Sequence, residues 1–103
     1  MNTYTCAYHA IARNLSATAL ATLMKSSAPL IVATYTEAGL TLVSDTTSVG
    51  DPVATRTIVF QDAVTPGSIP PGAPMVEYLT NTMTGAIATG IAAPVTADPV
   101  AVT

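Results

Sequence analysis

The sequence predicts a mainly β fold, α+β at the margin: a small antiparallel sheet, or a sandwich or barrel, with one short helix near residues 16–27 and an extended C-terminal arm. β-Branched runs separated by Gly, Pro and Asp favour strands, and only one stretch has both Ala-rich composition and helical spacing. The 103 residues suffice for one domain. We assign residues 1–91 to this small β-rich domain and residues 92–103 to the arm.

The N-terminal segment, residues 2–13, fits both a strand and a helix. Tyr4, Cys6 and Tyr8 alternate with small residues at the strand period. Tyr4, Tyr8 and Ile11 also lie at helical spacing. Aromatic and Thr content favours a strand in the first half and Ala content favours a helix after it, so both alternatives stay open for residues 3–13.

The predicted helix follows this segment. Asn14 or Ser16 can cap it, because a short polar side chain accepts from the free N–H groups of the first turn. Pro29 is expected to end it. Its apolar face comprises Leu20, Leu23 and Met24.

The strongest strand signals lie in the middle of the chain. Two β-branched runs, 30–36 and 40–44, are joined by a short Gly-containing loop and predict a hairpin. Residues 44–52 are rich in turn formers. Residues 53–62 then alternate cleanly between two sets of side chains, which predicts a further strand packed in an antiparallel sheet.

The last third is less regular. Residues 66–74 hold four Pro and two Gly, which predicts a stiff surface loop. Residues 75–79 fit a short strand, and residues 80–91 fit a strand or a loose helix. Pro94 and Pro99 interrupt an Ala, Val and Thr background, so residues 92–103 are expected to be extended.

Charge is the most unusual property of the composition. Charged residues make up 9% of the chain, against about 25% in an average soluble domain. Half of the residues are hydrophobic, but only 5% are aromatic. Ala and Thr together supply about a third of the chain. A core built from so few large side chains is thin, and oligomerisation is a common remedy.

The scarcity of cations excludes several function classes. Arg13, Lys25 and Arg56 are the only Lys or Arg residues, and nucleic-acid binding needs several cations per site. No basic amphipathic stretch points to an anionic membrane surface. We expect no membrane span, since no stretch reaches about 18 strongly apolar residues, and no standard secretory signal.

Few residues are suited to catalysis or metal binding. His9 is the only histidine and Cys6 the only cysteine, so a zinc site lacks ligands and an internal disulfide has no second thiol. A Ser/His/Asp triad would have to recruit His9, and no motif suggests it. Asp45 and Asp51 frame a turn-rich segment where calcium binding stays open, although the regular spacing of a calcium loop is missing. We therefore predict no enzyme activity, no cofactor, and no catalytic, cofactor-binding or metal site.

Two classes of function remain. The first is a structural or assembly protein that packs against other protein subunits, itself or a larger particle. The composition resembles that of small virion proteins such as bacteriophage capsid decoration (cement) or tail proteins, and no motif carries this resemblance. It implies a homo-oligomer, with a trimer as one arrangement, bound to the outer surface of a virion assembled in the host cytoplasm. The alternative is a small soluble ligand- or protein-binding domain, or a minor subunit of an enzyme complex.

Overall fold

The computed structural model describes residues 2–37, 39–50, 52–62, 72–91 and 93–103. Strands make up 39% and helices 42% of the structure. The predicted small antiparallel sheet is confirmed, and the helix content places the fold at the α+β limit of the predicted class. In chain order the elements are β1 (Thr3–Ile11), α1 (Ala17–Glu37), β2 (Leu40–Val49), β3 (Val53–Asp62), α2 (Ala73–Gly90), β4 (Val95–Ala97) and β5 (Ala101–Val102).

The five strands form one sheet in which every pairing is antiparallel. The order is β2-β3-β1-β4, and β5 pairs with the same side of β1 as β4 does. β1 pairs with β3 along its whole length, from Thr3 opposite Gln61 to Ile11 opposite Val53. Each helix connects two strands that are not neighbours, which is the β-α-β-β-α-β, ferredoxin-like arrangement.

The core lies between one face of the sheet and the two helices. Alternate residues of β1 and β3 are buried there, as the period of a strand requires. Tyr35 of α1 meets the ring of Phe60 edge to face at 4.7 Å between ring centroids, and its hydroxyl donates to the Leu79 carbonyl at 2.6 Å. One side chain thus ties both helices and the sheet together. The largest fully buried side chains are Tyr4, Tyr8, Tyr35, Phe60, Leu20, Met24, Ile31, Ile58, Leu79, Met83, Ile87 and Cys6.

The first helix is confirmed in place, but its predicted end is wrong. Ser16 caps it by accepting from the Ala19 N–H at 3.1 Å. The helix then continues through Pro29 to residue 37, so the predicted strand at residues 30–36 and its hairpin are also wrong. Pro29 lacks the donor to the Lys25 carbonyl and crowds that carbonyl with its ring. Burial of Ile31 and Tyr35, one turn apart, nevertheless outweighs this cost and the β-propensity of the run.

The other strand predictions are partly confirmed and partly wrong. Residues 3–11 are a strand, which settles the N-terminal alternatives, and β3 has the predicted bounds. The turn-rich reading of residues 44–52 is wrong up to Val49, because β2 extends that far. Residues 75–79, expected as a short strand, belong to helix α2, whose buried side is Met75, Leu79, Met83 and Ile87. The predicted loop at 66–74 lies outside the described residues up to position 71, and residues 73–74 open α2.

The C-terminal residues are extended, and they also pack on the domain. Thr103 exchanges two backbone hydrogen bonds with Thr3, at 2.8 and 2.9 Å, and Val100 is buried. β4 and β5 both pair with β1. The segment is therefore an edge of the sheet in the structure, where the sequence indicated an arm.

Candidate functional site

The side of the sheet away from the helices is a surface that extends over all the strands, which we call the open face. Both described helices pack on the opposite side, where the buried residues of β1 and β3 lie. Cross-strand partners share a face, so the register defines the members. They are Thr3, Thr5, Ala7, His9 and Ile11 of β1; Val53, Thr55, Thr57, Val59 and Gln61 of β3; Thr41, Ser44, Thr46 and Ser48 of β2; Thr96 of β4; and Ala101 of β5.

The open face has no ionic residue among these members, and Thr is its commonest residue. The exposed side of an antiparallel sheet is ordinarily its polar, solvated side. Here hydroxyl, methyl and isopropyl groups take that place, and Ile11 and Val53 at one end are 39% and 37% exposed. Such a surface loses little solvation free energy when another protein covers it, because outside the contact of His9 with Asp98 at its β4 side it holds no charge to desolvate.

One edge of the sheet is also free of described partners. β2 is ten residues long and pairs only with β3 among the described strands. Leu42, Val43 and Val49 are 41%, 50% and 51% exposed along it. A bulge at Val43 interrupts the ladder, and residues 44–49 beyond it pair regularly without Pro, Gly or Lys. A long edge without these blocking residues can accept a strand from another chain.

The opposite edge is built differently. β4 and β5 have three and two residues, and Pro94 and Pro99 flank β4. Short strands and prolines are the usual means by which proteins block edge pairing. The β2 edge can therefore accept a strand from another chain, whereas the edge formed by β4 and β5 can pair over only two or three residues at a time.

His9 forms a polar cluster at the β4 side of the open face. Its Nδ1 lies 2.8 Å from Thr55 Oγ1 and its Nε2 lies 2.9 Å from Asp98 Oδ2. When the ring is neutral, Nε2–H donates to the carboxylate and Nδ1 accepts from the hydroxyl. The side chains of His9 and Asp98 are 30% and 57% exposed.

The cluster contains a hydroxyl, an imidazole and a carboxylate, which are the groups of an acyl-transfer triad. Its surroundings do not favour that chemistry. The hydroxyl is the secondary one of Thr55 in the middle of a strand, and neither of the two cavities described below is lined by a member of the cluster. The His9 ring links β1, β3 and the segment after β4 through its two hydrogen bonds.

A second polar cluster is buried under α1. Arg56, 4% exposed, donates from Nη1 to the Met24 carbonyl at 2.9 Å and from Nη2 to the Asp45 carboxylate. The Tyr8 hydroxyl lies 3.2 Å from both the Met24 carbonyl and Ser27 Oγ. Burial raises the pKa of Tyr8, and the Ser27 hydrogen bond and the Arg56 charge partly oppose this. The cluster fixes α1 over three strands, which is a structural role.

Asp45 lies in β2 and is engaged by Arg56, and Asp51 falls outside the described residues. The part of the chain that the structure describes has no group of three His, Cys, Asp or Glu side chains suited to a metal ion. Cys6 is fully buried, and burial raises its pKa to about 12, so the thiol is kept neutral and inert.

Two cavities lie away from the polar clusters. The larger, of about 350 Å³, is an apolar groove between α2 and β4. The smaller, of about 250 Å³, lies beside the β1–α1 connection and is lined by Arg13, Asn14, Leu15, Leu23, Ala93 and Pro94. The groove residues are Thr84, Ile87, Ala88, Ile91, Ala93, Val95 and Ala97.

Helix α1 also passes a test for membrane spans by length and composition. Residues 17–36 have a mean hydropathy of 1.2, and 29% of the tested window is buried inside the fold. A core helix satisfies the same criteria, and α1 packs Leu20, Met24 and Ile31 into the core. A single helix of this kind is weak evidence for a membrane protein.

Comparison of the chain with protein-family models, with curated proteins and with solved structures finds no match.

Sequence reasoning missed the His9 cluster and the Arg56 pair. Thr55 and Asp98 are 46 and 89 residues from His9, so no local spacing announces them. For Arg56 a signal was present: the alternation of residues 53–62 places it with Ala54, Ile58 and Phe60, on the side that proves to be buried. A cation on the apolar side of a strand predicts a buried partner, and Asp45 is that partner.

Proposed function

We propose that this chain is a structural subunit that assembles with other protein, and that it does so through the open face of its sheet. The observation that carries the proposal is the absence of any ionic residue from the sixteen members of that face. Interface cores are depleted in charged residues relative to the rest of a protein surface. A free monomer normally uses this exposed side of its sheet for charges that keep it soluble.

The edge of β2 supports the same role. A subunit that builds a particle needs a second contact besides the first, and residues 44–49 can take up a strand through main-chain hydrogen bonds. The blocked edge at β4 and β5 limits such pairing to one side. Assembly through these two surfaces requires no catalytic group, so we propose a protein that is not an enzyme.

The particle we propose is a virion, with this chain on its outer surface as a decoration protein. The support is the composition together with the position of the cations. Arg56 is buried in an ion pair, which leaves Lys25 and Arg13 as the exposed cations of the described residues. Two exposed cations do not suit a surface in contact with packaged nucleic acid.

Gradient sedimentation of a lysate from the cells that naturally make the chain tests this role. We expect the chain in a fast-sedimenting fraction together with nuclease-protected nucleic acid. Val49→Lys places a charge on the β2 edge and should move the chain to the top of the gradient, whereas Thr36→Lys, on the exposed side of α1, should not. Recovery of the unmodified chain only as a small, slowly sedimenting species would refute the proposal.

A second function is favoured by the groove between α2 and β4. Its volume of about 350 Å³ lies at the lower end of the range for small-molecule sites, and its lining is apolar apart from Thr84. A small binding domain for an apolar ligand would use it. Saturable binding of Nile red by the purified chain, abolished by the space-filling Ala88→Trp, would favour this alternative, and no binding would remove it.

A further inference from the structure

We propose that the occupant of the open face is a second copy of this chain, which packs its own open face against the first in a twofold-symmetric dimer. This inference rests on the proposed function, because it names the partner at the same surface. Three properties of the face carry it: its size, its neutral central region and the small side chains around Thr57.

The size fits a dimer interface. Strands advance about 3.4 Å per residue and lie about 4.8 Å apart. The nine residue pairs of β1 with β3 give the sheet a length of roughly 30 Å, and four strand positions give it a width of roughly 19 Å, so its face measures on the order of 600 Å². Two such faces together cover about 1,200 Å², where the range of specific interfaces begins. Sheets packed in this way lie about 10 Å apart, with their side chains interdigitated.

Neutrality matters most when the partner is an identical copy. A twofold axis brings each side chain of the central region close to its own counterpart, so any charge there would meet the same charge. The open face avoids this in its central region, because the exposed Asp98 carboxylate that meets its His9 lies at the β4 side. The titratable group it does contain, His9, is held by Asp98 towards the β4 side, away from the middle of the sheet.

Thr57 marks the centre. It lies in the middle of β3, opposite Ala7 of β1 on one side and Thr46 of β2 on the other. All three side chains are small and uncharged, so a second sheet can approach closely. The axis of the dimer is placed near this residue, which makes it the position most sensitive to a new charge.

Sedimentation velocity of the purified full chain is the first test, with a dimer expected at micromolar concentration. Thr57→Lys and Thr57→Glu should each weaken the dimer by about a hundredfold or more, because like charges would face each other across the axis. An equimolar mixture of the two variants should restore a dimer. Thr36→Lys on the exposed side of α1 should leave the dimer unchanged.

A nearly isosteric variant tests the same position even if the charged variants misfold. Thr57→Cys introduces the one accessible thiol, since Cys6 is fully buried. A bis-maleimide with a reach of about 10 Å, matched to the separation of packed sheets, should link two copies at this position, and Thr36→Cys should give no linked dimer. The unfolding midpoint of each variant in urea checks its fold.

The outcomes separate this inference from the proposed function. A chain that stays monomeric at sub-millimolar concentration, or a dimer that is neither weakened by Thr57→Lys nor linked through Thr57→Cys, overturns the proposal of a second copy on this face. If that monomer still sediments with a large particle, the structural role stands with a different partner. A dimer that never enters a particle leaves the face-to-face pairing intact and refutes the role.

Discussion

Asp45→Ala would leave the guanidinium of Arg56 under α1 without its carboxylate partner. The side chains of the pair are 5% exposed for Arg56 and 23% exposed for Asp45. Breaking a fully buried ion pair costs about 3–5 kcal/mol, because the remaining charge is desolvated and unpaired. Water can reach the Asp45 side, and Arg56 keeps its bond to the Met24 carbonyl, so we expect a loss of about 2–3 kcal/mol in the free energy of unfolding.

Urea unfolding followed by circular dichroism measures this loss. With m values of about 1–3 kcal/mol per molar urea, the midpoint should fall by about 0.7–3 M at unchanged slope. Asp45→Asn is the matched control: it removes the charge but keeps an oxygen acceptor for Nη2, so it should lose less. The double variant Asp45→Ala with Arg56→Met replaces the ion pair by apolar groups and should recover part of the stability. The reasoning fails if Asp45→Ala unfolds within about 0.5 kcal/mol of the unmodified chain, or if the double variant is less stable than Asp45→Ala alone.

Three further outcomes are expected. A Cβ at Gly90 would lie 2.6 Å from Ser27 Cβ, so Gly90→Ala should destabilise the helix pair by about 1 kcal/mol or more. A Cβ at Gly85 meets nothing within 4 Å, so Gly85→Ala should stabilise α2 by up to about 1 kcal/mol. The two variants should therefore shift the midpoint of urea unfolding in opposite directions. Cys6 should resist a thiol reagent until the chain unfolds. Since burial raises its pKa from 9.0 to about 12, its contribution to stability is complete below pH 9 and is lost between pH 9 and 12, and Cys6→Ala should remove that part of the alkaline decline. Truncation of residues 94–103 removes β4, β5 and a buried Val, and should lower the melting temperature by more than 10 °C; an unchanged melting curve would show that this edge contributes nothing to the fold.

The parts of the fold that follow from local pattern were predictable. β3 alternates over its whole length, and its bounds are those expected, because each alternate side chain reaches the core. The cap at Ser16 was also readable from the sequence. These features depend on residues within a few positions of each other.

The second half of α1 was not predictable from propensity. The run Leu-Ile-Val-Ala-Thr-Tyr-Thr after Pro29 favours a strand by composition, and a proline within a helix is costly. In the structure Ile31 and Tyr35 continue the buried stripe that Leu20 and Met24 begin. The helical spacing of these four residues was present in the sequence, but only contact with Phe60 and Leu79 makes it decisive. Tertiary packing overrode the local preference.

The candidate site divides in the same way. That the surface is poor in charge could be predicted from composition. That the shortage is concentrated on one face could not, because it depends on the register of four strand positions drawn from both ends of the chain. The His9 cluster likewise needs the pairing of β1 with both β3 and β4 before Thr55 and Asp98 come within reach.

The distribution of the few charges is more informative than their number. Arg56 and Asp45 form an ion pair with each other inside the fold. Lys25 and Glu77 lie exposed on the two helices, on the covered side of the sheet. If low charge were only a drift in composition, the remaining ionic residues would fall on the open face about as often as elsewhere, since that face supplies many of the exposed strand positions. Among the described residues these four lie where a second sheet would not meet them, and the exposed Asp98 carboxylate lies at the β4 side of the open face, paired with His9. That arrangement leaves the central part of the face free of charge, as face-to-face association requires.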